Sequence, residues 1–256
     1  MKRAGYVILG LVVLAAVLSA VWTPYDPLQA DPAARLEGSS LRHRMGTDEL
    51  GRDELSRVMA GARLTVLVVL GAVGLSALVG VPLGVWAGMR RGAGRAITAA
   101  SDLLLAFPAL LLAIVFTAVF GASIWIVVLA IGIAGIPGFV RVARVGTLQV
   151  MSRDYILAAR MARVSGPAIA VRHVLPNIAH LLVTQATVAA ALAILAEAGL
   201  SFLGLGAPAP YASWGRMLQA SQPYLATSWH LALWPGIAIA ATVLACNLIG
   251  GARDRR

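Results

Sequence analysis

Six apolar stretches constrain this chain more than any other feature. They run approximately over Gly5–Trp22, Leu64–Trp86, Ala99–Phe120, Ser123–Val140, Leu181–Leu203 and Leu231–Ile249. About 20 apolar residues span the roughly 30 Å hydrocarbon core of a bilayer as a helix, so each stretch is long enough to cross, allowing for tilt. Inside lipid the backbone must satisfy its own hydrogen bonds, and a single continuous segment does so only as a helix. Composition agrees: 59% of the residues are hydrophobic and 12% charged, against about half and a quarter in a soluble domain. The expected fold is an all-α integral membrane protein with six transmembrane helices.

Charge orients the six spans. If the N-terminus is inside, the inner segments carry Lys2, Arg3, Arg90, Arg91, Arg95, Arg141, Arg144, Arg153, Arg160, Arg163, Arg172, Arg253, Arg255 and Arg256, opposed only by Asp154 and Asp254. The outer segment 23–63 has six arginines against seven acids and is nearly neutral. This asymmetry is the positive-inside pattern. Six spans with both termini cytoplasmic satisfy it, whereas five or seven would put a basic cluster outside. The net charge of +10 therefore follows topology, and no nucleic-acid partner is expected. The first run follows Lys2-Arg3 like a signal peptide, but it is too long for a typical h-region and no clear cleavage site follows. It is expected to be retained. Cys246, the only cysteine, reads as a packing residue.

Two segments outside the spans are long. Segment 23–63 opens on Thr23-Pro24-Tyr25-Asp26-Pro27, a turn and extended pattern, and ends in Asp48 to Arg63, which reads as a short polar helix. Segment 141–180 contains Tyr155, Ala158, Ala159 and Ala162 at helical spacing. A Ser165-Gly166-Pro167 break follows, then Ile169, Val171, Val174 and Pro176, so two short helices around a bend are expected. The organisation expected is residues 1–63 as the first helix plus an extracytoplasmic segment, and 64–256 as a five-helix core with the cytoplasmic loop 141–180.

Little of the chain carries chemistry. Lys2 is the only lysine, so a G-x-x-x-x-G-K-[ST] phosphate loop is impossible. The four histidines are scattered and make no H-E-x-x-H, and there is no G-x-S-x-G elbow. No enzyme activity and no metal site are expected. Asp102 and Glu197 are the ionisable residues that stand out within spans, with Ser201 nearby; such groups are costly and often functional. Asp102 lies near the start of its span and could reach the interface. For Glu197, pairing inside the bundle is favoured over lining a cavity. Gly80, Gly84, Gly88 and Gly204-Leu205-Gly206 read as close helix packing. Pro82, Pro108, Pro137 and Pro235 would kink or end helices.

Tyr155-Ile-Leu-Ala-Ala-Arg-Met-Ala-Arg-Val-Ser-Gly166, followed by Arg172-His-Val-Leu-Pro-Asn177, resembles the coupling motif of ABC-importer permeases, roughly E-A-A-x-x-x-G and then I-x-L-P. Met45-Gly-Thr-Asp-Glu-Leu-Gly-Arg-Asp-Glu-Leu-Ser-Arg57 with Gly61-Ala-Arg63 looks like the signature before span two in peptide- and nickel-importer permeases. Glu197-Ala-Gly-Leu-Ser-Phe-Leu-Gly-Leu-Gly206, with Pro208, Pro210, Ser213-Trp214-Gly215 and Met217, is similar to that family's exit from span five. Asp102-Leu-Leu-Leu-Ala-Phe-Pro108 also fits. Two positions depart: the motif's glutamate is Leu157 here, and its glycine is Arg163. Near the C-terminus, Gly251 stands where the family ending is acidic.

The resemblance implies a type I importer permease in a bacterial inner membrane, with a short cytoplasmic helix that docks on an ATPase. Tyr155, Ala158, Ala159, Arg160, Arg163, Ser165 and Gly166 are the implied contacts. It further implies a second homologous permease subunit, two ABC ATPase subunits that hold the ATP and Mg, and an extracytoplasmic solute-binding protein. No cofactor is expected on this chain. Dipeptide or oligopeptide import is the expected function, with nickel or metal-chelate import as the alternative within the family. A stand-alone secondary transporter or channel is the alternative outside it.

Overall fold

The structure is a computed structural model that describes residues 2–208 and 210–251. The tail cations Arg253, Arg255 and Arg256 lie outside the described residues. Ten α-helices carry the described chain: α1 (Lys2–Leu18), α2 (Glu54–Met89), α3 (Arg91–Leu105), α4 (Ala109–Phe120), α5 (Ile124–Met151), α6 (Asp154–Met161), α7 (Gly166–Ile169), α8 (Leu175–Phe202), α9 (Trp214–Ser221) and α10 (His230–Gly250). A π-helical turn, Ala170–Val174, joins α7 to α8 without a break. The only β pairing among the described residues is an isolated bridge between Thr47 and Asp53.

Four helical units are long and apolar enough to cross a membrane: α2, α5, the continuous Gly166–Phe202 unit and α10. A fifth crossing is available if α3 and α4 are taken together, and this pair is bent by 79°. The bend falls at Phe107-Pro108, so the third apolar stretch is not one straight helix. Pro108 lacks an N–H and disfavours helix in the residue before it, which is where the chain turns. Pro82, Pro137 and Pro235 instead sit inside unbroken α2, α5 and α10; packing against neighbours holds those helices through the missing bond. α1 has 17 residues, about 26 Å of helix, shorter than the stretch Gly5–Trp22 expected from sequence.

Two other boundaries differ from expectation. α2 begins at Glu54 rather than after a separate short helix, and its 36 residues extend for about 54 Å. Its start is fixed by Asp53, an N-cap whose carboxylate accepts the Ser56 N–H at 2.8 Å. α5 runs to Met151, so the loop after it is shorter than 141–180.

The core is the contact between α2 and α5. Glycine on either helix lets the other's backbone approach. A Cβ at Gly80 would stand 2.7 Å from Cβ of Phe139, at Gly84 2.5 Å from the Val140 carbonyl, and at Gly88 2.6 Å from Cβ of Thr147. Gly132 and Gly135 reciprocate against Leu75 and Ser76. The paired numbers rise together, so α2 and α5 are parallel. Parallel neighbours need a return between them, so residues 91–120 traverse the length of the bundle despite their bend. α8 runs antiparallel to α5, with Gly146 on Ile178 and Gly138 on Gln185, and α10 antiparallel to α8, with Gly250 on Thr187. α1 lies antiparallel on α10, with Gly5 against Ala245 and Ile249. The start of α1, the end of α10, the end of α2 and the α5–α8 connection thus share one end of the bundle, the end rich in arginine.

Candidate functional site

The α5–α8 connection forms an elbow. α6 projects from the bundle, and Ile156 is its one buried residue: it is 1% exposed and packs in a cluster with Val85, Val150, Ile169, Val174 and Ile178 from α2, α5, α7, the π turn and α8. The opposite face of α6 is bare. Leu157 and Met161, one turn apart, are 59% and 74% exposed, and Ala158, Arg160 and Ala162 lie exposed beside them. Ala159 is half-buried. The Tyr155 ring lies 6.2 Å from that of His173, which ties the first turn of α6 to the π turn. Arg163, Ser165 and Gly166 are exposed at the bend. Ser165-Gly166-Pro167 does break the helix as expected, but α7 is the first turn of the long unit ending at Phe202 rather than a separate second helix. Sequence reasoning missed Ile156 as the anchor, because it stands in the apolar run Tyr155-Ile156-Leu157, which gives no sign of which side chain is buried.

The close of α6 explains why the resembled motif has glycine where this chain has Arg163. The N–H of Val164 donates to the Ala159 carbonyl at 3.0 Å and that of Arg163 to Arg160 at 2.9 Å, the pair of bonds of a Schellman cap. Such a cap needs a left-handed residue, and Arg163 has φ +57°. α8 ends the same way: Leu205 donates to Leu200, Gly204 to Ser201, and Gly204 supplies φ +78°. Gly204 is thus a helix stop rather than a packing glycine, while Gly206 is the close approach, against Ser201. A non-glycine residue in this conformation costs about 1 kcal/mol or more, partly offset by the freer unfolded chain of glycine. Arg163→Gly is therefore expected to raise the thermal midpoint of the purified protein, and Arg163→Val, with its branched Cβ, to lower it.

The intramembrane polar candidates separate. Asp102 is on the surface, 3.6 Å from Arg141 with both side chains more than half exposed. It joins α3 to α5 and does not enter the bundle. Glu197 is 1% and Ser201 2% exposed, and the Ser201 hydroxyl donates to the Glu197 carboxylate at 2.7 Å. They are buried together at the end of α8, one turn apart on the same helix. Neither lines the cavity that the bundle does contain. That cavity, about 200 Å³, lies among α2, α3, α5 and α8 and is walled mainly by small residues, including Gly135, Gly138 and Ala189. Its polar side chains are Ser76 and Gln185. The Ser76 hydroxyl is engaged with the carbonyls of Ala72 and Gly132, which leaves the Gln185 amide to face the space. Gln185 was not singled out from sequence, although an amide ten residues into α8 is the signal that could have found it.

At the opposite end, residues 23–63 form a pinned cap. The Asp48 carboxylate accepts from the N–H groups of Leu50 and Arg52 and meets Arg52 Nε at 2.7 Å and Arg57 Nε at 3.2 Å. Buried His43 meets Asp53 at 2.9 Å, with the Tyr25 ring 4.7 Å away. Gly46, at φ +84°, lets the cap approach the His230 ring. Trp214 is 1% exposed. Its indole N–H donates to the Val58 carbonyl at 2.9 Å, with its ring against Gly61. The stretches 45–63 and 197–217, far apart in sequence, meet at this contact.

Residues 80–252 match the family described as binding-protein-dependent transport system inner membrane component. The chain belongs to that family. This permease is 43% identical to a Brucella suis protein named as a peptide transport system permease, over 98% of this chain and 86% of the other. It is 39% identical to the di/tripeptide transport system permease protein DppC of Pseudomonas aeruginosa, over 98% and 85%. It is 38% identical to the glutathione transport system permease protein GsiD of Pectobacterium atrosepticum, over 96% and 84%. The family and the apolar helices make the permease a multi-pass membrane protein of a transport system that works with binding proteins.

Proposed function

We propose that this permease is one of two membrane subunits of an ATP-driven importer of dipeptides or oligopeptides. The observation that carries the reading is the α6 elbow, a short helix with a bare face, fixed by Ile156 to the inner ends of the bundle helices. A rigid knob so anchored passes movement of a docked partner directly into the spans. α1, α2, α3–α4, α5, α7–α8 and α10 give six crossings, which puts both termini with the arginine-rich end in the cytoplasm. Tyr155, Ala158, Ala159, Arg160, Arg163, Ser165 and Gly166 form the contact with one of two ATPase subunits, which bind ATP and Mg. The cap of residues 23–63 faces an extracytoplasmic solute-binding protein. Relatives named for peptides and glutathione favour peptide over nickel or a metal chelate.

The cavity at Gln185 is this subunit's share of the pathway, completed by the second permease. Its amide can donate to and accept from a peptide bond, while the small residues around it leave room. Gln185→Leu is expected to lower uptake of a dipeptide at limiting concentration about tenfold and leave ATPase assembly intact. The reading as a whole is tested by purifying the permease from its native membrane and reconstituting it. ATPase subunits that co-purify, with uptake dependent on ATP, support it. Solute movement by the isolated chain would instead favour a secondary transporter or channel.

A further inference from the structure

A groove of about 480 Å³ lies between the inner end of α2 and the start of the α7–α8 unit, walled by Val81, Val85, Met89, Pro167, Ala170 and Leu175. Its mouth is flanked by Trp86 and Val171, 55% and 62% exposed. Arg90 is on its lining and exposed. Among the described residues no carboxylate pairs with Arg90. From these features we infer that the groove binds an anionic phospholipid, with an acyl chain along the apolar wall and the phosphate at Arg90.

The chemistry selects this occupant in three steps. The wall offers hydrocarbon and almost no hydrogen-bonding groups, so it takes an apolar chain. Trp86 stands where an indole favours the interface between hydrocarbon and headgroups. Arg90 lies one turn further on, at headgroup depth. Arg172, exposed on the π turn at the same end, adds to a local field that favours a negative headgroup over a zwitterionic one. The inference rests on reading this end as the cytoplasmic side of the membrane. Gly166 and Pro167 line the groove, so the bound chain would brace the base of α7 against α2.

The test uses the complete complex, purified in mild detergent, with bound lipids extracted and quantified by mass spectrometry. Phosphatidylglycerol or cardiolipin enriched over its fraction in the source membrane is expected. Arg90→Glu, a surface change, should reduce that enrichment at least about fivefold, and Val171→Trp, which blocks the mouth, should do the same. Bound lipid of bulk composition, or enrichment unchanged in Arg90→Glu, would overturn the inference. So would a Val171→Cys crosslink showing that a segment of a neighbouring subunit fills the groove. Co-purification of the ATPase subunits is scored on the same samples, so loss of lipid selectivity is distinguishable from failure of the importer reading.

Discussion

Ala159→Glu is expected to cut ATP-driven peptide uptake by more than tenfold while leaving the permease in the membrane. Ala159 is half-buried on α6, on the side of the helix away from Leu157 and Met161, and its carbonyl accepts the Val164 N–H that closes the helix. A glutamate there puts a carboxylate against a docked partner, and an unpaired charge buried at an interface costs several kcal/mol. One such loss exceeds a factor of ten in affinity. Hydrolysis by the ATPase subunits should continue but lose its response to loaded binding protein. Uptake and hydrolysis measured on the same proteoliposomes separate this outcome from simple loss of protein. Ala159→Ser, nearly isosteric and uncharged, should keep most of the activity. Undiminished uptake in Ala159→Glu would count against α6 as the docking element.

Gly84→Leu is expected to abolish the folded permease altogether. Gly84 lies between Gly80 and Gly88 in the parallel contact of α2 and α5, where even a methyl group would stand 2.5 Å from the Val140 carbonyl oxygen and 2.7 Å from Cβ of Ala143. Those atoms belong to a helix backbone and its first side-chain carbon, so they cannot swing aside. In lipid, helices associate by close packing rather than by hydrophobic exclusion, and forcing the pair apart forfeits contacts along its whole length. Overpacking commonly costs about 1–3 kcal/mol in a yielding core, and this site yields less. The measurement is the fraction of membrane-extracted protein that runs as a monodisperse complex. Gly84→Ala should retain a reduced fraction, and Gly10→Leu, where no atom lies within 4 Å of the added position, should behave as the native chain. Normal assembly of Gly84→Leu would show that the α2–α5 approach is not limiting.

The four helical units long and apolar enough to cross a membrane were legible because bilayer thickness imposes a minimum apolar length, and length is a one-dimensional property. The end at which the arginines gather was legible for the same reason, since charge is counted loop by loop. The elbow was legible as helix, break, helix, because Ser165-Gly166-Pro167 punctuates it. A break in the third stretch was legible because Pro108 marks it, but the 79° angle between α3 and α4 was not, since hydropathy continues through Phe107-Pro108. The role of Gly204 was misjudged because a packing glycine and a capping glycine look alike until φ is known. Arg163 stood out only as a departure from the motif's glycine, and its conformation shows that the position demands a left-handed turn.

For the candidate sites the division is sharper. Asp102, Glu197 and Ser201 drew attention because charge and hydroxyl groups in apolar runs are conspicuous, yet one is paired on the surface and two are buried together. Gln185, which does face a cavity, was less conspicuous than any of them. By itself the sequence determined that the chain is a bundle of membrane helices with its cations at one end, because solvation by lipid acts on each segment independently. Which helices run parallel, where a cavity opens and which face of α6 is left bare depend on contacts between residues far apart in the chain. Packing alone decides those, through the shapes that glycine, proline and one buried isoleucine allow.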